Sequence, residues 1–238
     1  MVRFEITGSV DPLLACQLEE GDKLLAESNA MVAMDSTLKL KGKTRGGLLG
    51  SIGRKILNDE SFFQQSIEAE DGNGKILLAP NIPGDIRILE VGEKQYMITD
   101  GAFLACTEDV ELSSKYQGVG RSLLGNSGGF FVMGTEGKGQ LAISGFGSMR
   151  ELEVHSGQSL FVDNGHLVAW DTNLKYELSM NTGKSGLFGT LVNSQTTGEG
   201  IVLEFKGEGK VYVCSRNRGG FLNWVFDNVP ADKTVKND

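Results

Sequence analysis

Histidine is nearly missing from this sequence, two in 238 residues, and cysteine stops at three. His155 and His166 have neither HxH nor HExxH spacing, which leaves no recognisable zinc motif. Cys16, Cys106 and Cys214 are odd in number, roughly a hundred residues apart and without CxxC spacing, so they read as reduced thiols, buried or half-buried. Positive charge is in deficit: 23 basic residues stand against 31 acidic ones, a net charge of -8. That balance repels polyanions and makes nucleic acid a poor default partner. No run approaches eighteen consecutive apolar residues, which excludes a membrane-spanning helix. The start, Met1-Val2-Arg3-Phe4-Glu5-Ile6, has neither a cationic stretch before an apolar run nor the arginine-rich composition of a transit peptide, and a cytoplasmic protein is expected. Proline is held to four while glycine reaches 33, the composition of many short strands joined by tight turns. A 39% apolar fraction is ample for a packed core.

Three stretches of the chain resemble one another. Leu18-Glu19-Glu20-Gly21-Asp22, Leu89-Glu90-Val91-Gly92-Glu93 and Leu152-Glu153-Val154-His155-Ser156-Gly157 are turns of one type. Each precedes an apolar strand, a polar turn and a second strand with alanine near its end, at Ala33, Ala105 and Ala169. Further on, each copy has a basic residue before a small apolar loop that closes on glycine. These loops are Arg45-Gly46-Gly47-Leu48-Leu49-Gly50, Arg121-Ser122-Leu123-Leu124-Gly125 and Lys184-Ser185-Gly186-Leu187-Phe188-Gly189. A glycine-centred hairpin then ends each copy, at Asp71-Gly72-Asn73-Gly74, Gly137-Lys138-Gly139 and Gly198-Glu199-Gly200. Three landmarks kept in one order indicate a triplicated unit of about 65 to 70 residues, which is marginal alone and gains stability by stacking on its siblings.

Period-two alternation, as in Lys210-Val211-Tyr212-Val213-Cys214 and Leu38-Lys39-Leu40-Lys41, predicts half-buried strands. The fold class expected is therefore all-β, with three tandem β-sandwich or double-stranded β-helix modules in pseudo-threefold repetition. The modules are placed at residues 1–80, 81–147 and 148–227, before a polar tail over 228–238. One short helix is predicted from Ile52 to Phe63, because Ile52, Ile56 and Leu57 recur at helical spacing. It reads as an insertion, since the first copy spends longest between loop glycine and hairpin glycine.

Catalytic groups are hard to find. Hydrolytic chemistry needs a nucleophile, a base and an orienting acid together, whereas each histidine stands where the other copies have non-titrating residues. No GxxxxGK[ST] stretch is present, and Gly118-Val119-Gly120-Arg121 leads into no βαβ unit. Glu19-Glu20 and Glu68 to Asp71 do not follow the EF-hand pattern and read as solvated faces. No enzyme activity, cofactor or metal is expected.

The three turns, the three basic-apolar-glycine loops and the closing Asn217-Arg218-Gly219-Gly220-Phe221 resemble the AIM24 family over nearly the whole chain. The resemblance implies a fold similar to the tryptophan RNA-binding attenuation protein, three modules per chain, and homotrimers with nine modules in a ring. Mitochondrial members of the family carry a targeting segment and support inner-membrane organisation; without such a segment this chain looks like a prokaryotic member. RNA binding would need a basic stripe on every module. Lys39, Lys41, Lys43 and Arg45 supply one in the first copy, but Glu111 with Lys115 and Lys175 with Glu177 stand in the others.

What does recur is the apolar loop. Its leucines either plug a neighbouring module or subunit, or insert shallowly into a membrane interface beside their cation. The candidate interaction residues are Arg45, Leu48, Leu49, Ile52, Ile56 and Leu57, continued by Arg54 and Lys55, with Arg121, Leu123 and Leu124 in the second copy and Lys184, Leu187 and Phe188 in the third. An odd number of modules leaves sheet edges unpaired, and a homotrimer hides them economically. The expected function is a non-enzymatic scaffold that meets a protein or membrane surface; the alternative is a metabolite sensor that binds between adjacent modules.

Overall fold

The computed structural model describes residues 1–42, 64–99, 101–114, 132–179 and 202–229. After an N-terminal strand β1 (Arg3–Thr7), a first run of six comprises β2 (Leu13–Leu18), β3 (Lys23–Glu27), β4 (Met31–Met34), β5 (Leu38–Gly42), β6 (Gln64–Ala69) and β7 (Gly74–Leu78). A second comprises β8 (Gly84–Val91), β9 (Tyr96–Thr99), β10 (Phe103–Thr107), β11 (Val110–Ser114), β12 (Val132–Gly137) and β13 (Gly139–Phe146). The third comprises β14 (Met149–Val154), β15 (Ser159–Asp163), β16 (Leu167–Asp171), β17 (Lys175–Ser179), β18 (Val202–Lys206) and β19 (Gly209–Cys214), and a helix α1 (Arg218–Asn228) follows. The fold is all-β, as the alternation of the sequence requires.

Pairing order is the same in each run. The first strand lies antiparallel to the sixth, and the sixth to the third. The second lies antiparallel to the fifth, and the fifth to the fourth. The register shifts before the alanine of each third strand, between Met31 and Ala33, Phe103 and Ala105, and Leu167 and Ala169. Such a bulge bends the strand and re-aims its side chains.

Successive runs are joined by one further pairing, second strand to the next run's third. Ala26 faces Ala105 where β3 meets β10, and Ile98 faces Ala169 where β9 meets β16. The result is two six-stranded sheets that each draw on two runs, flanked by a four-stranded sheet β1-β2-β7-β4 and a three-stranded sheet β15-β18-β17. The core follows the same plan. Leu104, Ala105 and Ala142 of the second run complete the cluster around Leu14, Leu24 and Ile67, while Val168, Ala169 and Tyr212 of the third complete that around Ile98 and Phe103. Each run thus buries its apolar face partly against the next.

One landmark moves. The third hairpin is Gly207-Glu208-Gly209, between β18 and β19, and not Gly198-Glu199-Gly200. Val202 to Phe205 belongs to β18, the partner of β15 and β17, whereas the matching stretches Ile76 to Leu78 and Leu141 to Ile143 lie in sixth strands. The tripeptide Gly-Glu-Gly occurs twice before an alternating strand, and spacing alone selected the wrong copy. With the hairpin corrected, the fourth and fifth strands of the three runs are joined over residues 43–63, 115–131 and 180–201. The helix predicted from Ile52 to Phe63 lies outside the described residues. In the second hairpin Gly137 has φ +86°, and a Cβ there would sit 2.1 Å from the Asp109 carbonyl oxygen, so only glycine closes that turn.

Helix α1 was not legible in advance. Asn217, quoted above only as part of a landmark, is its N-cap, with Oδ1 accepting from Gly220 N–H at 3.0 Å. Asn228, placed above at the head of a polar tail, is the last helical residue, and its amide donates to the Trp224 carbonyl at 2.8 Å.

Candidate functional site

Every candidate loop residue lies outside the described residues: Arg45, Leu48, Leu49, Ile52, Ile56, Leu57, Arg121, Leu123, Leu124, Lys184, Leu187 and Phe188. The strands that flank these loops are described. Gln64 pairs with Glu27, Val132 with Thr99 and Val202 with Asp163, so all three connections leave from the end of the sheets where the second strands finish. Helix α1 sits at that same end. The Asn217 side chain lies against Gly165 in the turn before β16, and a Cβ on Gly101 would meet the Arg218 guanidinium at 3.6 Å.

Among the described residues, one aromatic contact fastens the helix to the sheets. Phe221 meets Phe146 edge-on, 5.2 Å between ring centroids, with the Arg216 guanidinium 5.9 Å from the same Phe146 ring. Its outer surface is aromatic and open: Trp224 is 62% exposed and Phe226 71%, with Leu222 and Val229 beside them. Sequence reading missed this surface because two glycines open the helix and apolar side chains surround most of it, which blurs a helical period. The clustering of Phe221, Trp224 and Phe226 is the signal that could have marked it.

Two sheet edges are also open. Strand β4 exposes Met31 (41%) and Val32 (53%), while the corresponding Phe103 and Leu104 of β10, and Leu167 and Val168 of β16, are buried beneath β3 and β9. Strand β15 has β18 on one side only and exposes Phe161 (47%), where the corresponding Met97 of β9 is buried against β16. Both edges would be covered if a second strand met a third strand once more.

Of the basic stripe, the two described lysines are paired with acidic residues of their own run. Lys39 Nζ lies 2.7 Å from Asp71 Oδ2, and Lys41 bridges Glu68 Oε2, at 2.6 Å, and Glu70. Hydrogen bonds to Lys41 and Ser66 hold the Glu68 carboxyl below the usual carboxylate range. Each histidine has a local partner. His166 Nδ1 donates to the Cys214 carbonyl at 2.8 Å, and the exposed His155 stands 3.8 Å from Glu153. Among the described residues no cluster of His, Cys, Asp and Glu is arranged to hold a metal, and no helix is long and apolar enough to cross a membrane.

At the opposite end of the sheets, where β16 of the third run pairs with β9 of the second, a cavity of about 590 Å³ opens between Glu93, Lys94 and Gln95 on one side and Glu153, Asp171 and Lys210 on the other. Asp171 is 3% exposed. Its Oδ2 accepts from Lys210 N–H at 3.1 Å and stands 4.0 Å from Lys94 Nζ. Its Oδ1 has no hydrogen-bond partner among the described residues. Burial, only partly offset by the Lys210 N–H and the two lysines, pushes its pKa up. Nothing in the sequence separated this aspartate from the other carboxylates, since its burial comes from pairing with a strand of the preceding run.

Three comparisons bear on this architecture. The profile of the family described as Mitochondrial biogenesis AIM24 matches residues 4–216. An uncharacterized protein of Streptococcus pyogenes serotype M6 is 38% identical over 237 residues, 97% of this chain and 92% of its own length. A crystal structure of a Streptococcus pyogenes protein superposes with a TM-score of 0.77 at 35% identity, covering 96% of this chain and 100% of its own.

Proposed function

The chain belongs to the AIM24 family, and from that premise we propose that it acts without catalysis, as a homo-oligomeric platform that presents one end of its sheets to a partner surface. The observation that carries the proposal is the pair of complementary edges. Second strand meets third strand twice within the chain, and the third strand β4 and second strand β15 are left without that partner. Extending the internal register places Val162 opposite Ala33 and Phe161 opposite Met34 of the next copy, head to tail. Such an interface is heterologous, it makes a ring where its rotation closes, and a trimer is the ring that the family resemblance implies. It covers Met31, Val32 and Phe161, and an open apolar edge is otherwise a site of uncontrolled pairing. The platform end carries α1 and the origins of the three loops, so a trimer displays three copies of the Trp224–Phe226 surface together.

The experiment is a cysteine pair, Val162→Cys with Ala33→Cys, opposed at disulfide distance by this register. Oxidation is expected to give covalent trimers on a non-reducing gel, matching a trimer mass in light scattering at micromolar concentration. A monomer mass for the unmodified chain would overturn the assembly. Flotation with anionic liposomes then separates a membrane surface from a protein partner at the platform end.

A second reading, a sensor that binds a small molecule between adjacent runs, is favoured by the cavity beside Asp171.

A further inference from the structure

The position of Asp171 occurs three times in the chain, always accepting from the same backbone group of the sixth strand. Lys75 N–H donates to Asp35 Oδ2 at 2.8 Å, Gln140 N–H to Thr107 Oγ1 at 3.1 Å, and Lys210 N–H to Asp171 Oδ2 at 3.1 Å. Thr107 shows that a hydroxyl meets the need of the fold. Asp35 sits on the open β4 edge and is exposed. Asp171 is the one of the three that puts a carboxylate into a buried junction, and its second oxygen gains nothing there. Buried polar atoms are nearly always paired, so an unpaired one beside a cavity calls for a partner that the described residues do not supply.

Three donors around the cavity are committed elsewhere. Lys210 Nζ is held by Glu151 Oε1 at 2.5 Å, Asn173 Nδ2 donates to the Glu208 carbonyl at 2.7 Å, and Gln95 Nε2 donates to the Gly92 and Gly137 carbonyls. Lys94 comes no nearer to Asp171 than 4.0 Å. The lining also carries Glu93, Glu153 and Glu208 besides Asp171, so carboxylates outnumber Lys94 and Lys210. An anion is repelled, and a donor with positive charge is favoured.

We propose that this cavity binds a small organic ammonium compound, with the Asp171 carboxylate as anchor and Glu93, Glu153 and Glu208 selecting for positive charge at the mouth. The proposal rests on the sensor reading above and names the ligand class. A primary ammonium takes the place that Lys94 approaches without reaching, and gives the carboxylate the charged hydrogen bond it lacks. Thr107 at the corresponding junction of the first two runs has no carboxylate to offer, so of the two junctions within a chain only that of Asp171 is expected to bind.

The full-length chain is titrated with putrescine by calorimetry and by thermal melting, with butanediol as the neutral isostere and sodium chloride at matched ionic strength. Saturable binding of putrescine is expected, with a rise in Tm of roughly 5 °C at a hundredfold excess over Kd. Butanediol and salt are expected to do nothing. Asp171→Asn keeps the shape and removes the charge, and is expected to lose at least about tenfold in affinity while melting cooperatively; Asp171→Thr, which reproduces the Thr107 arrangement, serves as a second folded variant. Unsaturable binding, an equal effect of salt, or undiminished affinity in both variants would overturn the proposal. If neutral or anionic metabolites shift the melt and amines do not, the ammonium assignment falls and the sensor reading survives. If no metabolite shifts it, both fall.

Discussion

Asp171 shows how a single residue acquires a property that its neighbours in sequence do not dictate. Desolvation raises its pKa above the ordinary 3.8, because Tyr96 of β9 lies opposite it and the Lys210 N–H and Lys94 compensate incompletely. The folded chain then holds the proton more tightly than the unfolded chain. The stability that this linkage contributes is complete below about pH 3.8 and is lost as the pH rises through the folded value. Asp171→Asn should therefore raise the Tm at pH 8 and change it little at pH 3.5, as followed by calorimetric melting at both values. Glu68 has the opposite sign, since Lys41 depresses its pKa and the gain is lost on acidification. The cysteines, by contrast, were legible from count and spacing. Cys16 and Cys106 are buried, and burial pushes the Cys106 thiol up to about 12, so it stays protonated and unreactive near neutral pH.

Among the elements, the strands were legible because alternation is local: Leu14, Cys16 and Leu18 of β2 turn inward while Leu13, Ala15 and Gln17 alternate with them. Helix α1 was not, because its stability is supplied by a cap and one ring contact. Asn217→Ala removes the Oδ1 acceptor for Gly220 N–H and is expected to cost about 1 kcal/mol. Phe221→Ala removes the contact with Phe146 that holds the helix to the sheets. In that variant hydrogen exchange should accelerate throughout residues 218–228, while protection in β13 and β19 is retained; loss of protection in those strands as well would show that the helix is integral to the sheets. The misplaced third hairpin has a similar lesson. Two Gly-Glu-Gly tripeptides are equivalent as local turn signals, and only the pairing of β15 with β18 tells them apart.

For the molecule as a whole, the energetics rest on shared cores. Leu104 and Ala105 belong to the second run but are buried with Leu24 of the first. The same burial is missing at β4 and β15, and the proposed ring restores it. Phe161→Glu places a charge opposite the expected position of Met34 in the next copy and desolvates it there. The variant is expected to elute at monomer mass and to lose the rise of Tm with protein concentration that an assembling chain shows. An oligomer mass unchanged by this substitution would place the interface elsewhere on the surface.

The sequence by itself determined the all-β class, the family, the turns at Gly21, Gly92 and Gly157 and the spacing that keeps the thiols apart, since each depends on composition or on neighbours a few residues apart. Tertiary structure alone decided which Gly-Glu-Gly is the hairpin, that α1 forms with an aromatic face outward, that β4 and β15 lack the pairing between runs, and which aspartate is buried. Those properties depend on pairings between residues tens of positions apart. Burial and hydrogen bonding are set by what lies across the sheet, and a one-dimensional pattern does not contain that information.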